Sequence, residues 1–422
     1  MKRNLLTLIV LCITFYSLAQ VQVTPGTEPF YLDRDVCTYY ANPTPKKVSV
    51  LRSNALQERM ANDTPCSTIN VIYNGFTAEA QAAFEFAVSI WEHSLESSVP
   101  ITVNANFSSL PPGVLGGAGP NGLFPLTGDE IPENTLYPAA LAEKITGSEI
   151  GGDNSVDINA TFSNIANFYF GLDGNPPINQ IDFVSVVLHE LGHGLGISGF
   201  GTVNNNNEGA IRNSGGFVSI WDQFIENNFG ISILAYPDPS ILLRNQLTSN
   251  NLFCNSAEAT AQNNNIQPKT YAPTVFQQGS SYSHWDETTY PAGHPNSLMT
   301  PSIASGEAMH DPGLVTLGFM QDMGWTICGS LLSVNELTVN DLEVFPNPFT
   351  SSIKIKLQNG SYSNFDVSIV DINGKAVYNN SYNVQNGEIN INDLKNLGNA
   401  MYFLIIKDNE TGASLTKKIV KQ

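Results

Sequence analysis

The stretch "VVLHELGHGLGISGF", residues 186–200, sets His189 and His193 four residues apart with Glu190 beside the first. On an α-helix, positions i and i+4 share one face, so both imidazoles can address a single ion. Glu190 is rotated away from them and can meet a water molecule instead, which is where a general base belongs. Around this core, Ile181, Val184, Val187, Leu188, Leu191 and Leu195 recur at helical spacing. Asp182 supplies a cap, and Gly194 and Gly196 end the helix. Two imidazoles and a carboxylate inside so apolar a helix are costly to bury without a purpose. The extended pattern HExxHxxGxxH would put a third histidine at position 199, but that residue is Gly199.

A catalytic zinc needs three protein ligands, and four other histidines are available: His93, His284, His294 and His310. His93 follows Trp91 and Glu92 on an earlier helix and reads as partly exposed. The other three lie in "SSYSHWDETTYPAGHPNSLMTPSIASGEAMHDPG", residues 280–313, which also holds "SLMTP", a methionine in a tight-turn setting. A carboxylate ligand, Glu208 or Glu226, is an alternative, although neither sits in a helical ligand motif and Met299 would then have no role.

These motifs resemble the leishmanolysin branch of the metzincin zinc proteases, over roughly residues 67–328. In that branch a large insertion separates the HExxHxxG helix from the third histidine, and a methionine turn then passes beneath the metal. The resemblance implies His189, His193 and His284 as zinc ligands, Glu190 as base, Gly196 as the helix-ending turn glycine and Met299 as the Met-turn. His294 competes with His284, but it leaves five residues before Met299 where His284 leaves fifteen, and reach favours His284. Some metzincins use a tyrosine two residues after the methionine; here Pro301 stands there, so no such role is assigned. The strand at 155–164 would be the edge that holds an extended peptide.

The bulk properties place this candidate outside the cytoplasm. Lys2 and Arg3, the apolar run Leu5–Leu18 and the small residues before position 20 predict a cleaved signal peptide over 1–19. No other stretch approaches about 18 uninterrupted apolar residues, so no stable membrane span is expected. Export leaves Cys37, Cys66, Cys254 and Cys328, an even set that predicts disulfides, with nearest neighbours Cys37–Cys66 and Cys254–Cys328 as the simplest pairing. The formal charge is −19, and it is uneven. Residues 20–341 carry 9 Lys+Arg against 31 Asp+Glu, whereas residues 342–422 carry 8 against 7. Such a field repels phosphate backbones and excludes nucleic acid as a partner. Ca2+ would suit so acidic a domain, but no EF-hand spacing supports it.

The shift in composition marks the domain plan. Residues 20–66, with little periodicity, read as an irregular N-terminal arm or propeptide. A catalytic domain follows over 67–330, opening with a strand at Ile69–Tyr73. Next comes a helix capped by Thr77 with Phe84, Val88, Trp91 and Leu95 on one side, then a strand at Val99–Phe107. Val156, Ile158, Ala160 and Phe162 alternate in a further strand. Residues 201–280, with Asn runs at 204–207 and 263–265, read as an insertion of loops and short helices rather than core. After a linker at 331–341, residues 342–422 show short alternating runs split by Asn-Gly and Asn-Pro turns, the rhythm of a small all-β sandwich. "VFPNPF", "DINGKAVY", "MYFLIIKD" and "TKKIVKQ" make this segment resemble the sorting domain of bacterial type IX secretion substrates. The expected fold class is therefore an α/β (α+β) metzincin-like zinc protease domain followed by a β-sandwich. The expected function is a secreted or cell-surface zinc endopeptidase acting on protein or peptide substrates, with Zn2+ as cofactor and the type IX machinery as partner. The rival is a catalytically inactive, zinc-stabilised adhesin or binding protein.

Overall fold

The computed structural model describes residues 21–23, 28–31, 37–152, 155–329, 342–357, 364–372, 374–384, 388–392, 394–408 and 414–422. The expected signal peptide at 1–19 and linker at 331–341 lie outside the described residues. The chain divides into two compact units at Leu332/Ser333.

The first unit is a mixed α/β structure built on a six-stranded sheet. Its strands are β1 (Cys37–Asn42), β2 (Ile69–Asn74), β3 (Ile101–Ser108), β4 (Val114–Pro120), β5 (Ile158–Ser163) and β6 (Ser302–Ala304). They lie in the order β6-β1-β4-β5-β3-β2. β2, β3 and β5 run parallel, β4 runs antiparallel to both β5 and β1, and β6 runs parallel to β1. Four helices matter for the site: α1 (Ala78–Glu92), α2 (Ala139–Thr146), α3 (Phe183–Gly194) and α4 (Leu314–Met323).

Local chemistry explains the helix boundaries. Ala80 N–H donates to Thr77 Oγ1 (3.2 Å), which caps α1. Asp182 caps α3 by accepting from the Ser185 N–H (2.9 Å) and hydroxyl (2.7 Å). α3 stops where Gly196 takes φ 130°, a conformation L side chains rarely adopt. Every residue of α3 is buried. α1 packs on it through Trp91, whose Nε1–H donates to Leu188 O (3.0 Å), and Trp325 Nε1–H donates to Leu195 O (3.0 Å). These indoles fill the core around the motif helix and satisfy their own polar edge on its backbone.

Several expectations need correction. Residues 37–66, expected to be irregular, are not: they supply β1, a strand at Val48–Val50 paired with Glu307–Met309, and a helix at Asn54–Asn62. Leu95 is not on α1, which ends at Glu92; it pairs with Ile327 in a two-residue ladder. The strand expected at 155–164 is β5, and it is no edge, because β3 and β4 flank it. The segment 201–280 does consist of short elements, but Trp221, Ile225, Leu243, Leu247 and Leu252 belong to the main core. Apolar residues scattered among asparagines hide their common destination. The asparagine runs themselves are largely exposed.

The cysteine pairing also differs. Cys66 bonds Cys328 with Cα atoms 6.0 Å apart, and Cys37 and Cys254 are free and buried. Chain proximity was the wrong guide, because β1 carries Cys37 to the far side of the sheet's centre while Cys66 meets the end of the same unit. The bridge spans 262 residues and so closes almost the whole unit.

The second unit has a three-stranded antiparallel sheet (Leu342–Phe345, Ile353–Leu357, Glu388–Ile391) and a four-stranded one (Asn364–Val370, Ala376–Asn383, Met401–Asp408, Ser414–Val420). Ile353, Ile355 and Ile389 from the first share a core with Val367, Ile369, Leu404 and Ile406 from the second. Two sheets closing on one apolar layer is sandwich architecture.

Candidate metal centre

Helix α3 presents His189 and His193 on one face, and the segment after Tyr282 brings His284 to them. Nε2 of His193 lies 3.0 Å from Nε2 of His189 and 3.1 Å from Nε2 of His284, and the remaining pair is 3.3 Å apart. Each opposite ring nitrogen meets a carbonyl. His189 Nδ1 is 2.6 Å from Leu298 O, His193 Nδ1 2.5 Å from Ile197 O, and His284 Nδ1 2.6 Å from Ser280 O. A carbonyl can only accept, so Nδ1 carries the proton in all three rings and each Nε2 offers a lone pair.

Burial pushes His189 and His284 well below the usual imidazole range and lowers His193 as well, so all three rings are neutral. Three lone pairs therefore converge with no proton between them, a repulsive arrangement unless a cation sits at their focus. Four-coordinate zinc with Zn–N of 2.0–2.1 Å requires neighbouring nitrogens about 3.3 Å apart, close to the spacing found. The residues present fit such an ion.

Glu190 follows His189 on the same helix and is fully buried. Both its carboxylate oxygens lack a hydrogen-bond partner of ordinary geometry. Burial pushes its carboxyl up to about 8; His193 opposes that rise, Cys37 adds to it, and the N–H groups of Ala118 and Tyr39 oppose it. Met299 is buried and packs against α3 at Gly192, where a Cβ would stand 2.8 Å from its sulfur. The same turn supplies Leu298 O, which orients His189, and Met299 O accepts from Trp285 N–H (2.9 Å), next to His284. The turn thus orients the His189 ring through its backbone and anchors the main chain next to His284.

The remaining candidates lie elsewhere. Gly199 N–H donates to Ser283 Oγ (3.0 Å), bracing the neighbour of His284. His294 accepts from Asn296 N–H at Nδ1 (3.1 Å) and stands against Tyr290. His310 Nε2 meets Asp182 Oδ2 (2.8 Å), tying the cap of α3 to the segment after the turn. His93 is buried, not partly exposed: it ends α1, with Nδ1 2.8 Å from Ser89 O. Glu226 accepts from Gln267 (2.8 Å) and Asn255 (3.1 Å), and Glu208 accepts from Asn204 (3.4 Å).

Of two further residues at the site, Tyr39 escaped the sequence reading, and Cys37 entered it as a disulfide partner, with a cap on the metal as the alternative use. Tyr39 of β1 lies flat on His189, with ring centroids 3.6 Å apart and planes 8° from parallel. Cys37, two residues earlier, places its thiol 3.7 Å from Ser198 Oγ. The alternation in "CTYYAN" was the one available signal, and an arm that short does not declare its partners.

Comparison with known proteins adds the following. Residues 343–422 match the family described as Secretion system C-terminal sorting domain. Residues 52–210 match the family described as SPBPB7E8-like, a span that includes His189, Glu190 and His193 but not His284. No curated protein matches this sequence. Among solved structures, a DUF3244-family protein with an immunoglobulin-like β-sandwich from Bacteroides vulgatus is 25% identical, covering 19% of this chain and 84% of its own, at a TM-score of 0.17. PorZ, a surface component of the type IX secretion system of Porphyromonas gingivalis, is 18% identical, covering 24% of this chain and 14% of its own, at a TM-score of 0.18. Neither structural likeness is strong enough to carry an argument. No described helix is long and apolar enough to cross a membrane. The sorting-domain match makes the chain a type IX secretion substrate, a secreted or cell-surface protein.

Proposed function

We propose that the first unit is a zinc-dependent endopeptidase of metzincin type. The observation that carries this reading is the convergence of three neutral imidazole Nε2 atoms beside a buried carboxylate on the same helix. His189, His193 and His284 would hold the ion. An ion so held would supply Lewis-acid chemistry, polarising a peptide carbonyl and acidifying a water toward neutral pH. Glu190 would take that proton and pass it to the departing amine. Tight packing by Met299, Trp91 and Trp285 keeps the ligands in place and bulk water out. The rival reading, an inactive zinc-stabilised adhesin, has no use for Glu190, since a structural zinc is normally closed by four protein ligands.

The test is metal content together with casein hydrolysis, with and without a chelator, before and after limited proteolysis of the arm. Stoichiometric zinc with chelator-sensitive cleavage supports the endopeptidase. Stoichiometric zinc with no cleavage in either form supports the adhesin.

A further inference from the structure

The geometry points to Tyr282 as a positioning residue for the third candidate ligand: its strained backbone, and its ring seated on Gly199 and Gly201, hold His284 against the other two imidazoles. The inference rests on the metal site of the endopeptidase reading. It adds how a histidine 91 residues beyond His193 is brought to it.

The backbone comes first. Among the described residues, seven besides glycine have positive φ; six are Asn or Glu, and the seventh is Tyr282 at φ 78°. Asparagine visits this region readily, whereas a bulky aromatic does so only where its surroundings hold it there. The turn has a visible product. Tyr282 stands midway between Ser280 and His284, and the chain doubles back so that Ser280 O lies 2.6 Å from His284 Nδ1. That contact keeps the proton on Nδ1 and leaves Nε2 for an ion. Tyr271 brackets the same turn, accepting from Tyr282 N–H (2.7 Å) and donating its own N–H to His284 O (2.8 Å).

The ring supplies the link to α3. A Cβ on Gly199 would stand 2.3 Å from the Tyr282 ring, and one on Gly201 would meet three atoms of that ring at 2.6, 2.7 and 3.0 Å. Two glycines just beyond α3 are therefore the floor on which the ring lies. Position 199 is where HExxHxxGxxH would carry its own third histidine. Here it is bare, and a ring from the third-ligand segment packs in its place. Gly199 N–H also donates to Ser283 Oγ (3.0 Å), the residue between Tyr282 and His284. Asp222, fully buried within the segment 201–280, accepts from Phe200 N–H (3.0 Å) and Ser219 N–H (2.7 Å) and neighbours the Tyr282 hydroxyl. The chain leaving α3, the long segment after it and the third-ligand turn meet at one ring.

The test uses the full-length chain. It measures Zn2+ affinity by competition with a chelating dye, Co2+ absorption as a report of ligand geometry, and the thermal midpoint of the metal-free protein as a check of folding. Gly201→Ala alters no candidate ligand; its backbone accepts an L side chain, and the three atoms nearest the added methyl all belong to the Tyr282 ring. It should weaken Zn2+ binding by about tenfold or more, the usual worth of a residue that orients a ligand, and shift the Co2+ bands. Tyr282→Gly keeps the left-handed turn accessible but removes the ring, and should weaken Zn2+ to a similar extent. In that background Gly201→Ala should cost nothing further, because the ring it strikes is gone. Tyr282→Phe, which keeps the ring, should restore affinity close to wild type. Wild-type Zn2+ affinity and Co2+ bands in Gly201→Ala overturn the inference, even where Tyr282→Gly does not fold. So do losses that simply add in the double variant. None of these readouts needs catalysis. Variants that behave as expected in a chain that hydrolyses nothing would sink the endopeptidase reading and leave the role of Tyr282 standing. Unchanged Zn2+ affinity in both single variants, beside chelator-sensitive hydrolysis by the wild type, would do the reverse.

Discussion

Tyr39 lies parallel on His189 at 3.6 Å, which makes an N-terminal strand part of the surroundings of a candidate metal ligand. α3 and the turn at Met299 bring the candidate ligands together, and β1 packs over one of them.

Truncating that ring should destabilise the first unit. Loss of a large buried aromatic costs about 3–5 kcal/mol where it packs, so Tyr39→Ala should lower the thermal midpoint by roughly 5–8 °C, measured by calorimetry. An unchanged midpoint would mean that the stack on His189 contributes nothing to packing at the site.

The disulfide holds the first unit at its ends. Closing a loop of this length stabilises by about 5 kcal/mol in the chain-entropy account. Cys66→Ser with Cys328→Ser should lower the thermal midpoint by roughly 8 °C, measured by calorimetry. Thiol titration in denaturant should find Cys37 and Cys254 free and no others in the exported chain; finding none free would contradict the pairing.

The facing carboxyls of Glu143 and Asp157 give the unit a pH-dependent stability. Burial pushes Glu143 up to about 8, with the Ile150 N–H opposing the rise and the charges of Asp157 and Glu149 adding to it. The folded chain thus holds a proton that the unfolded chain releases near its ordinary value of 4.5. That stability is full below about 4.5 and is lost as pH rises through about 8. Glu143→Gln keeps the bond from Ile150 N–H and needs no proton, so its melting point should fall less than the wild type's between pH 6 and pH 9. Parallel pH profiles would show that Glu143 does not titrate there.

Deleting residues 342–422 removes the sorting domain and should leave the first unit folded but retained in the cell envelope of its native host. Normal appearance of the truncated chain in the medium would show that export does not depend on that domain.

Much of this arrangement was legible in the residues. The four-residue spacing of His189 and His193 and the cap at Asp182 define α3. Chain length alone separates His284 from His294, and the structure groups the former with the helix pair and leaves the latter beside Tyr290. What failed was whatever depended on partners distant in the chain. Nearest-neighbour logic mispaired the cysteines, because β1 and Cys66 diverge within the same arm. Alternation identified β5 as a strand but could not show that β4 covers its edge. The core residues Trp221, Leu243 and Leu247 were obscured by the asparagine-rich chain around them, and His93 looked exposed because a helix end gives no sign of what packs over it.

The most direct test is the zinc content of purified variants, measured by atomic emission alongside peptide hydrolysis. The account predicts that wild type, His294→Ala and Glu190→Gln each retain one zinc per chain, and that His284→Ala loses it. Glu190→Gln should keep its zinc while hydrolysis by the arm-cleaved form falls at least about 10²-fold, the worth of a positioned general base. Zinc retained in His284→Ala but lost in His294→Ala would contradict the ligand set, and full activity in Glu190→Gln would contradict the mechanism.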